Sequence, residues 1–215
     1  SLLGVPEEDQ DDIRVWTDAL LHRDPGETDG SRRHQEVSEK LWGYFARYVA
    51  ERRRQPRDDI MTALLEAEVE LEDGRKRRLD DTELLAFIGL LSGAGNETVA
   101  RLLGWAGTVL ARFPDERRRL ANDPGLIPAG IEELLRFEAP SPVQARRTMR
   151  DVVLHGVRVP EGSRVLLLTG SAGRDEREYP DADRFDVTRA IDRHVTFGYG
   201  VHFCLGASLA RLEGR

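Results

Sequence analysis

Apolar residues recur at helical spacing through the first half of the chain. Ile13, Trp16 and Leu20 stand at i, i+3 and i+7, and Trp42, Phe45 and Val49 repeat the interval, which predicts two amphipathic helices. Between them, residues 22–30 (His22-Arg23-Asp24-Pro25-Gly26-Glu27-Thr28-Asp29-Gly30) are polar and rich in breakers, and read as a loop. Ile60, Leu64 and Ala67 mark a third helix, after which Gly74 and a basic run signal a further connection. Asp80-Asp81-Thr82-Glu83 then fits an aspartate version of the capping box. From there Leu84, Phe87, Ile88, Leu91, Val99, Leu102, Leu103 and Trp105 lead to Phe113, just before Pro114. One helix of about 32 residues would reach roughly 48 Å at 1.5 Å per residue. Its apolar positions occupy more than one face, so it is expected to be buried.

Shorter helices are predicted near Pro114–Asn122 and Leu126–Phe137. The period then changes. Val152-Val153-Leu154, a His155-Gly156 turn, Val157-Arg158-Val159 and Arg164–Leu168 read as short strands of a small sheet. Gly170–Arg193 is charged and irregular, and no internal repeat or low-complexity tract appears. The expected fold class is mainly α with a small β-sheet.

Composition sharpens this little. A chain of 215 residues with 40% hydrophobic and 33% charged residues can bury a core and remain soluble. The balance of 32 basic against 39 acidic residues gives −7, which argues against nucleic acid as a general partner. The clusters Arg52-Arg53-Arg54 and Arg75-Lys76-Arg77-Arg78 read as solvated surface. No signal peptide and no run of 18 apolar residues is present, so no membrane is expected and the location is read as cytoplasmic. Both ends nevertheless look cut, with Ser1 in place of methionine and Arg215 inside a helical pattern. An internal fragment is expected, and a missing anchor then carries little weight.

Candidate chemistry centres on Cys204, the only cysteine, in Phe197-Gly198-Tyr199-Gly200-Val201-His202-Phe203-Cys204-Leu205-Gly206. Residues 205–213 have helical composition, which places the thiol at a helix mouth, where unpaired N–H groups favour a thiolate. Shielded by Phe197 and Phe203, it could offer a soft ligand to haem iron. A dinucleotide fingerprint would need glycine at 203, which is Phe203. A zinc site from His194, His202 and Cys204 is one ligand short. A buried inert cysteine is the ordinary alternative. Elsewhere, Gly93 and Gly95 weaken the long helix by about 1 kcal/mol each relative to alanine. They suit either close backbone approach or a helix crossing. Glu133 and Arg136 make an i, i+3 pair of the kind common on helix surfaces.

Every position of F-G-x-G-x-H-x-C-x-G is filled by residues 197–206, and this loop resembles the haem-binding loop of the cytochromes P-450, the haem-thiolate monooxygenases. Ala94-Gly95-Asn96-Glu97-Thr98, Glu133-x-x-Arg136 and the Pro180–Phe185 segment around Arg184 resemble further motifs of that family, in the family's order. The resemblance implies a partial cytochrome P-450 fold over residues 1–215, helical to 137 with a long central helix over about 81–113. A small sheet and meander over 138–193 and the ligand loop with the start of a helix over 194–215 would follow.

The same resemblance implies haem b held axially by Cys204, with Phe197, Gly198, Gly206 and Ala94 at the cofactor. His202 and Arg146, with Arg147 as second choice, would pair with propionates. Thr98 and Glu97 would manage dioxygen and protons, a role that a dry pocket requires. Glu133, Arg136 and Arg184 would brace the loop, while Leu90, Leu91, Ala94, Pro142 and Val143 would line the substrate pocket. The implied reaction puts one oxygen atom from O2 into an apolar small molecule, in the soluble bacterial class. Electrons would come from NAD(P)H through a ferredoxin reductase and a ferredoxin docking on the Cys204 face. The alternative is a fragment that binds haem weakly or not at all and turns nothing over.

Overall fold

Residues 1–96 form the first of two units, and its helices are α1 (Gln10–Leu21), α2 (Arg32–Arg54), α3 (Ile60–Glu66) and α4 (Asp81–Ala94). The computed structural model describes residues 3–22, 32–95 and 97–215, so most of the expected polar loop at 22–30 lies outside the described residues. Ile13 of α1, Leu41, Tyr44, Phe45 and Val49 of α2, Met61 of α3, and Leu84 and Ile88 of α4 close one core. On α2 the buried face runs through positions 41, 44, 45 and 49. Trp42 therefore turns outward, 40% exposed, although its spacing had suggested a core position. Edge-on packing of Tyr44 against Trp16, at 5.9 Å between ring centroids, ties α1 to α2.

Arg52 corrects the reading of its basic cluster as solvated. Its side chain is buried, with Nε donating to Asp59 at 2.6 Å and Nη2 to the Gly4 carbonyl at 3.0 Å. Asp59 also caps α3 by accepting from the Thr62 N–H, so one carboxylate fixes a helix start and neutralises a buried cation. Arg53 pairs instead with exposed Asp81. The second basic run is part of a hairpin that its pattern does not announce. Strand β1 (Glu68–Glu70) pairs antiparallel with β2 (Lys76–Arg78), and Gly74 takes φ +78° in the turn. With only Val69 apolar in either strand, no hydrophobic alternation marks the hairpin.

The capping box at α4 forms as expected, with Asp80 accepting from the Glu83 N–H at 2.8 Å and Glu83 from the Asp80 N–H at 3.0 Å. Across the expected long helix the described residues give α4, ending at Ala94, and α5 (Glu97–Arg112), which begins the second unit, with Asn96 between them outside the described residues. Gly93 and Gly95 flank Ala94, and glycine gives a helix its weakest backbone support short of proline. All-round burial is not observed. Leu84, Ile88 and Ser92 form the buried stripe of α4, whereas Leu90 is 56% exposed.

In the second unit α5 is followed by α6 (Pro114–Asn122), α7 (Ile127–Phe137), the four-residue α8 (Thr169–Ala172) and α9 (Ala207–Gly214). Leu102 and Val109 of α5, Leu134, Leu135 and Phe137 of α7, Phe185, Val187, Phe197 and Ala207 share one core. The expected small sheet resolves into two separate ladders. Strand β3 (Gln144–Arg147) pairs with β6 (Arg164–Leu167), and β4 (Val152–Leu154) with β5 (Val157–Val159), both antiparallel. His155 and Gly156 carry φ +49° and +81°, the two left-handed residues that a tight hairpin turn demands. Among the described residues no helix is long and apolar enough to cross a membrane.

Asp80→Ala removes the cap acceptor of α4 and is expected to lower stability by about 1 kcal/mol in denaturant unfolding, with Asp80→Asn retaining most of it.

Candidate functional site

Helix α7 carries two adjacent carboxylates that serve different segments. Glu133 and Arg136 are both fully buried and form a two-bond pair, Nε to Oε2 at 2.7 Å and Nη2 to Oε1 at 2.8 Å. All five N–H donors of Arg136 have acceptors, because Nη1 also reaches the carbonyls of Gly173 and Ala182, and Nη2 that of Arg184 at 3.3 Å. Gly173 is required here, since a Cβ on it would collide with the Arg136 carbonyl oxygen. The surface reading of this pair from its spacing alone is thus excluded.

The third member of the brace is Arg189, not Arg184. Arg189 Nε donates to Glu133 Oε1 at 3.2 Å, and its other nitrogens bind the carbonyls of Pro180, Asp181 and Arg184. The Arg184 side chain is 63% exposed and only approaches Asp186 at 3.7 Å, so that residue contributes its carbonyl rather than its charge. Several arginines lie in this charged segment, and sequence spacing does not say which one turns inward. Arg174, also unforeseen, stacks 3.5 Å from the Phe137 ring centroid while donating to the Phe137 carbonyl and to Asp183.

Neighbouring Glu132 faces the cysteine loop. It accepts from Arg211 Nε at 2.6 Å and lies 3.0 Å from His194 Nε2. Burial alone would raise its carboxyl, but hydrogen bonds from His194 and Arg211 and their charges outweigh this and bring it from 4.5 down to about 2.

The loop itself is closed by the Cys204 N–H donating to the Phe197 carbonyl at 2.8 Å, and by Phe203 N–H to Gly200 at 3.0 Å. Gly198 at φ +77° leaves no room for a side chain, since a Cβ would stand 2.9 Å from the His202 carbonyl oxygen. Gly200 is also left-handed, at φ +62°. Gly206 is not constrained in this way, and a Cβ there would lie 4.0 Å from the Cys204 sulfur. Cys204 sits three residues before α9 as a free, exposed thiol. Phe197 is buried, but Phe203 is 54% exposed, so only one of the two expected shielding rings packs inward. His202 ends a short 3-10 turn and is exposed.

Arg146 lies on β3 opposite Val165, exposed, donating only to the Ala145 carbonyl among the described residues, with Arg147 opposite Arg164. Thr98 is exposed on α5, one turn before Leu102, whose side chain shares the core with Phe197 and Ala207. Glu97 is tied to Arg101. Ala94 ends α4 in the first unit, so the 94–98 motif spans both units.

Comparison with known proteins places these features. The sequence model of the family described as Cytochrome P450 matches residues 20–124 and 125–215. The chain is 42% identical over 217 residues to Cytochrome P450 107B1 of Saccharopolyspora erythraea, covering 100% of this chain and 51% of that protein. It is 42% identical over 215 residues to Vitamin D(3) 25-hydroxylase of Pseudonocardia autotrophica, again with 100% and 51% covered. The solved bacillaene polyketide synthase cytochrome P450 PksS of Bacillus subtilis 168 superposes with a TM-score of 0.90 at 34% identity, covering 99% of this chain and 53% of that one. The chain therefore spans about half the length of the curated relatives it matches.

Glu133→Ala should lower stability by about 3–5 kcal/mol, because it strands a buried guanidinium. In the same denaturant titration Arg189→Ala is expected to cost about 1–3 kcal/mol, and Arg184→Ala to stay within about 0.5 kcal/mol. Because the Glu132 carboxyl is depressed in the folded state, the stability it adds is complete above pH 4.5 and lost as pH falls toward about 2. Acid titration of Glu132→Gln against the parent should show that part of the loss removed.

Proposed function

The chain belongs to the cytochrome P450 family, and from that membership we propose that it supplies the iron-ligand portion of a haem-thiolate monooxygenase acting on an apolar small molecule. The observation that carries the reading is the loop at 197–206, where two left-handed glycines and one backbone bond present a single free thiol. The donor set suits haem. One soft sulfur lies in a segment whose Val201, Phe203, Leu205 and Leu209 expose apolar surface of the kind a porphyrin would cover. It does not suit zinc, since His194 is engaged by Glu132 and the Thr196 N–H, and no three ligand-type side chains are grouped among the described residues.

Cys204 would hold haem b through its sulfur; bound there, haem supplies the activation of O2 for transfer of one oxygen atom. The remaining work falls to side chains of this chain. Arg146 uses one of its five donors within the described residues and has the rest available for a propionate, and exposed His202 is the second candidate. Thr98 offers a hydroxyl to dioxygen from the α5 face that leads into the Phe197 core. Glu97 carries protons inward once it leaves Arg101, a rotation the exposed pair permits at little expense. In the second unit Val143, 45% exposed, and Pro142 are proposed to face the substrate. Reducing equivalents from NAD(P)H would arrive through a reductase and a ferredoxin docking over the Cys204 face. The hydroxylase and polyketide-pathway names of the relatives support an apolar substrate.

The reading is tested on the haem-loaded enzyme carrying this chain, whose reduced carbon monoxide complex is expected to give a thiolate-type Soret band. Cys204→Ala should abolish that band, and its survival would refute the ligand assignment. These 215 residues alone are expected to give little of it, because residues 199–206 are all exposed. Thr98→Ala should lower the product formed per electron pair consumed; full coupling would exclude its role with protons.

A further inference from the structure

Two consecutive glutamates on α7 point about 100° apart around the helix, and only one of them is accounted for by the E-x-x-R brace. Glu132, the other, holds two side chains that meet the same ring. Its carboxylate accepts from Arg211 at both oxygens, at 2.6 and 3.0 Å, and Oε2 also lies 3.0 Å from His194 Nε2. The Arg211 guanidinium lies over the Phe197 ring, 4.6 Å from its centroid, and the His194 imidazole packs on that ring at 5.6 Å. Phe197 is in turn the residue whose carbonyl receives the Cys204 N–H.

The histidine has a defined tautomer in this network. The Thr196 N–H donates to Nδ1 at 3.3 Å, which leaves Nε2 to carry the proton toward Glu132. The Thr196 hydroxyl donates to the Leu135 carbonyl at 2.8 Å, so residues 194–197 are attached to α7 at two successive points. His194 is nearly buried at the side chain, and without Glu132 its N–H would have no acceptor among the described residues.

We infer that Glu132 is a positioning residue for the ligand loop: one carboxylate locks His194 and Arg211 against Phe197, and so fixes both the backbone that binds the Cys204 N–H and the cation held over that ring. The Arg211 charge is part of the same device. The guanidinium leaves α9 seven residues after Cys204 and is held by Glu132 over the ring of Phe197, the residue whose carbonyl takes the Cys204 N–H. Held there, the cation draws electron density from a thiolate; released, it would turn to solvent and leave the sulfur the stronger donor. The inference rests on the haem-thiolate reading above.

The experiment is a potentiometric titration of the haem-loaded enzyme, with equilibrium unfolding run in parallel. The parent must first show the thiolate-type Soret band, and its absence would refute the haem-thiolate reading and this inference with it. Given the band, Arg211→Ala is expected to shift the haem reduction potential to more negative values. Glu132→Gln, which keeps the shape of the side chain, should also move the potential. The double variant should depart from the sum of the two single shifts, because Glu132 acts through Arg211. Glu178→Ala, which breaks an exposed pair with Arg193, should leave the potential unchanged. A potential unmoved by Glu132→Gln, or shifts that simply add, would overturn the inference even if stability falls, since a merely structural role predicts that pattern. Should Glu132→Gln fail to load haem, Arg211→Lys replaces it: a retained cation preserves the potential, and a shift as large as that of Arg211→Ala would count against the inference.

Discussion

A buried ion pair is least costly when its hydrogen-bonding positions are filled, and the second unit of this chain is arranged around that requirement. Glu133 and Arg136 are removed from water completely, at a desolvation penalty of several kcal/mol per ion. Their mutual attraction does not by itself offset it. The carbonyls of Gly173, Ala182 and Arg184, the Asp186 N–H and the Arg189 guanidinium complete the set. A charged, irregular stretch without regular secondary structure is thereby given one conformation. Its backbone polar groups, which a helix or sheet would satisfy internally, are satisfied by an arginine fork instead.

The segment entering the cysteine loop is attached to the same helix by other bonds, His194 to Glu132 and the Thr196 hydroxyl to the Leu135 carbonyl. Phe197 enters the core formed by α5, α7, Phe185 and Ala207, and ten residues later the chain starts α9. Gly198 and Gly200 permit the reversal, because L side chains rarely adopt those φ values and Gly198 has no space for a Cβ. The outward residues of the loop are apolar and exposed, as a surface that meets a flat apolar cofactor would be. Adjacent carboxylates on α7 divide the labour, Glu133 toward the meander and Glu132 toward the loop.

Much of this was legible in the residues. Periodicity located α1, α2, α3, α6 and α7, the Asp80/Glu83 signature marked the start of α4, and His155-Gly156 marked a turn. These are local features, in which a residue's neighbours along the chain determine its energy. Where reading failed, the deciding partner was distant or the pattern carried no apolar signal. Arg52 looked like surface and is buried on Asp59; Arg184 looked like the brace and Arg189 is. The hairpin at Glu68–Arg78 has almost no hydrophobic alternation to read.

By itself the sequence determined the family, because spaced glycines around one cysteine and an E-x-x-R pair in fixed order are chemical constraints written in residue identity. It also determined the mainly helical class, since helical periodicity is a property of the local chain. Only the tertiary structure decided which arginine completes the buried pair, which of two neighbouring glutamates faces the ligand loop, and which apolar side chains remain exposed. Those outcomes depend on the angle at which a side chain leaves its helix and on what another segment places opposite it. The Arg136 guanidinium turns inward where acceptors for all five of its N–H groups converge, and that convergence exists only in the folded chain.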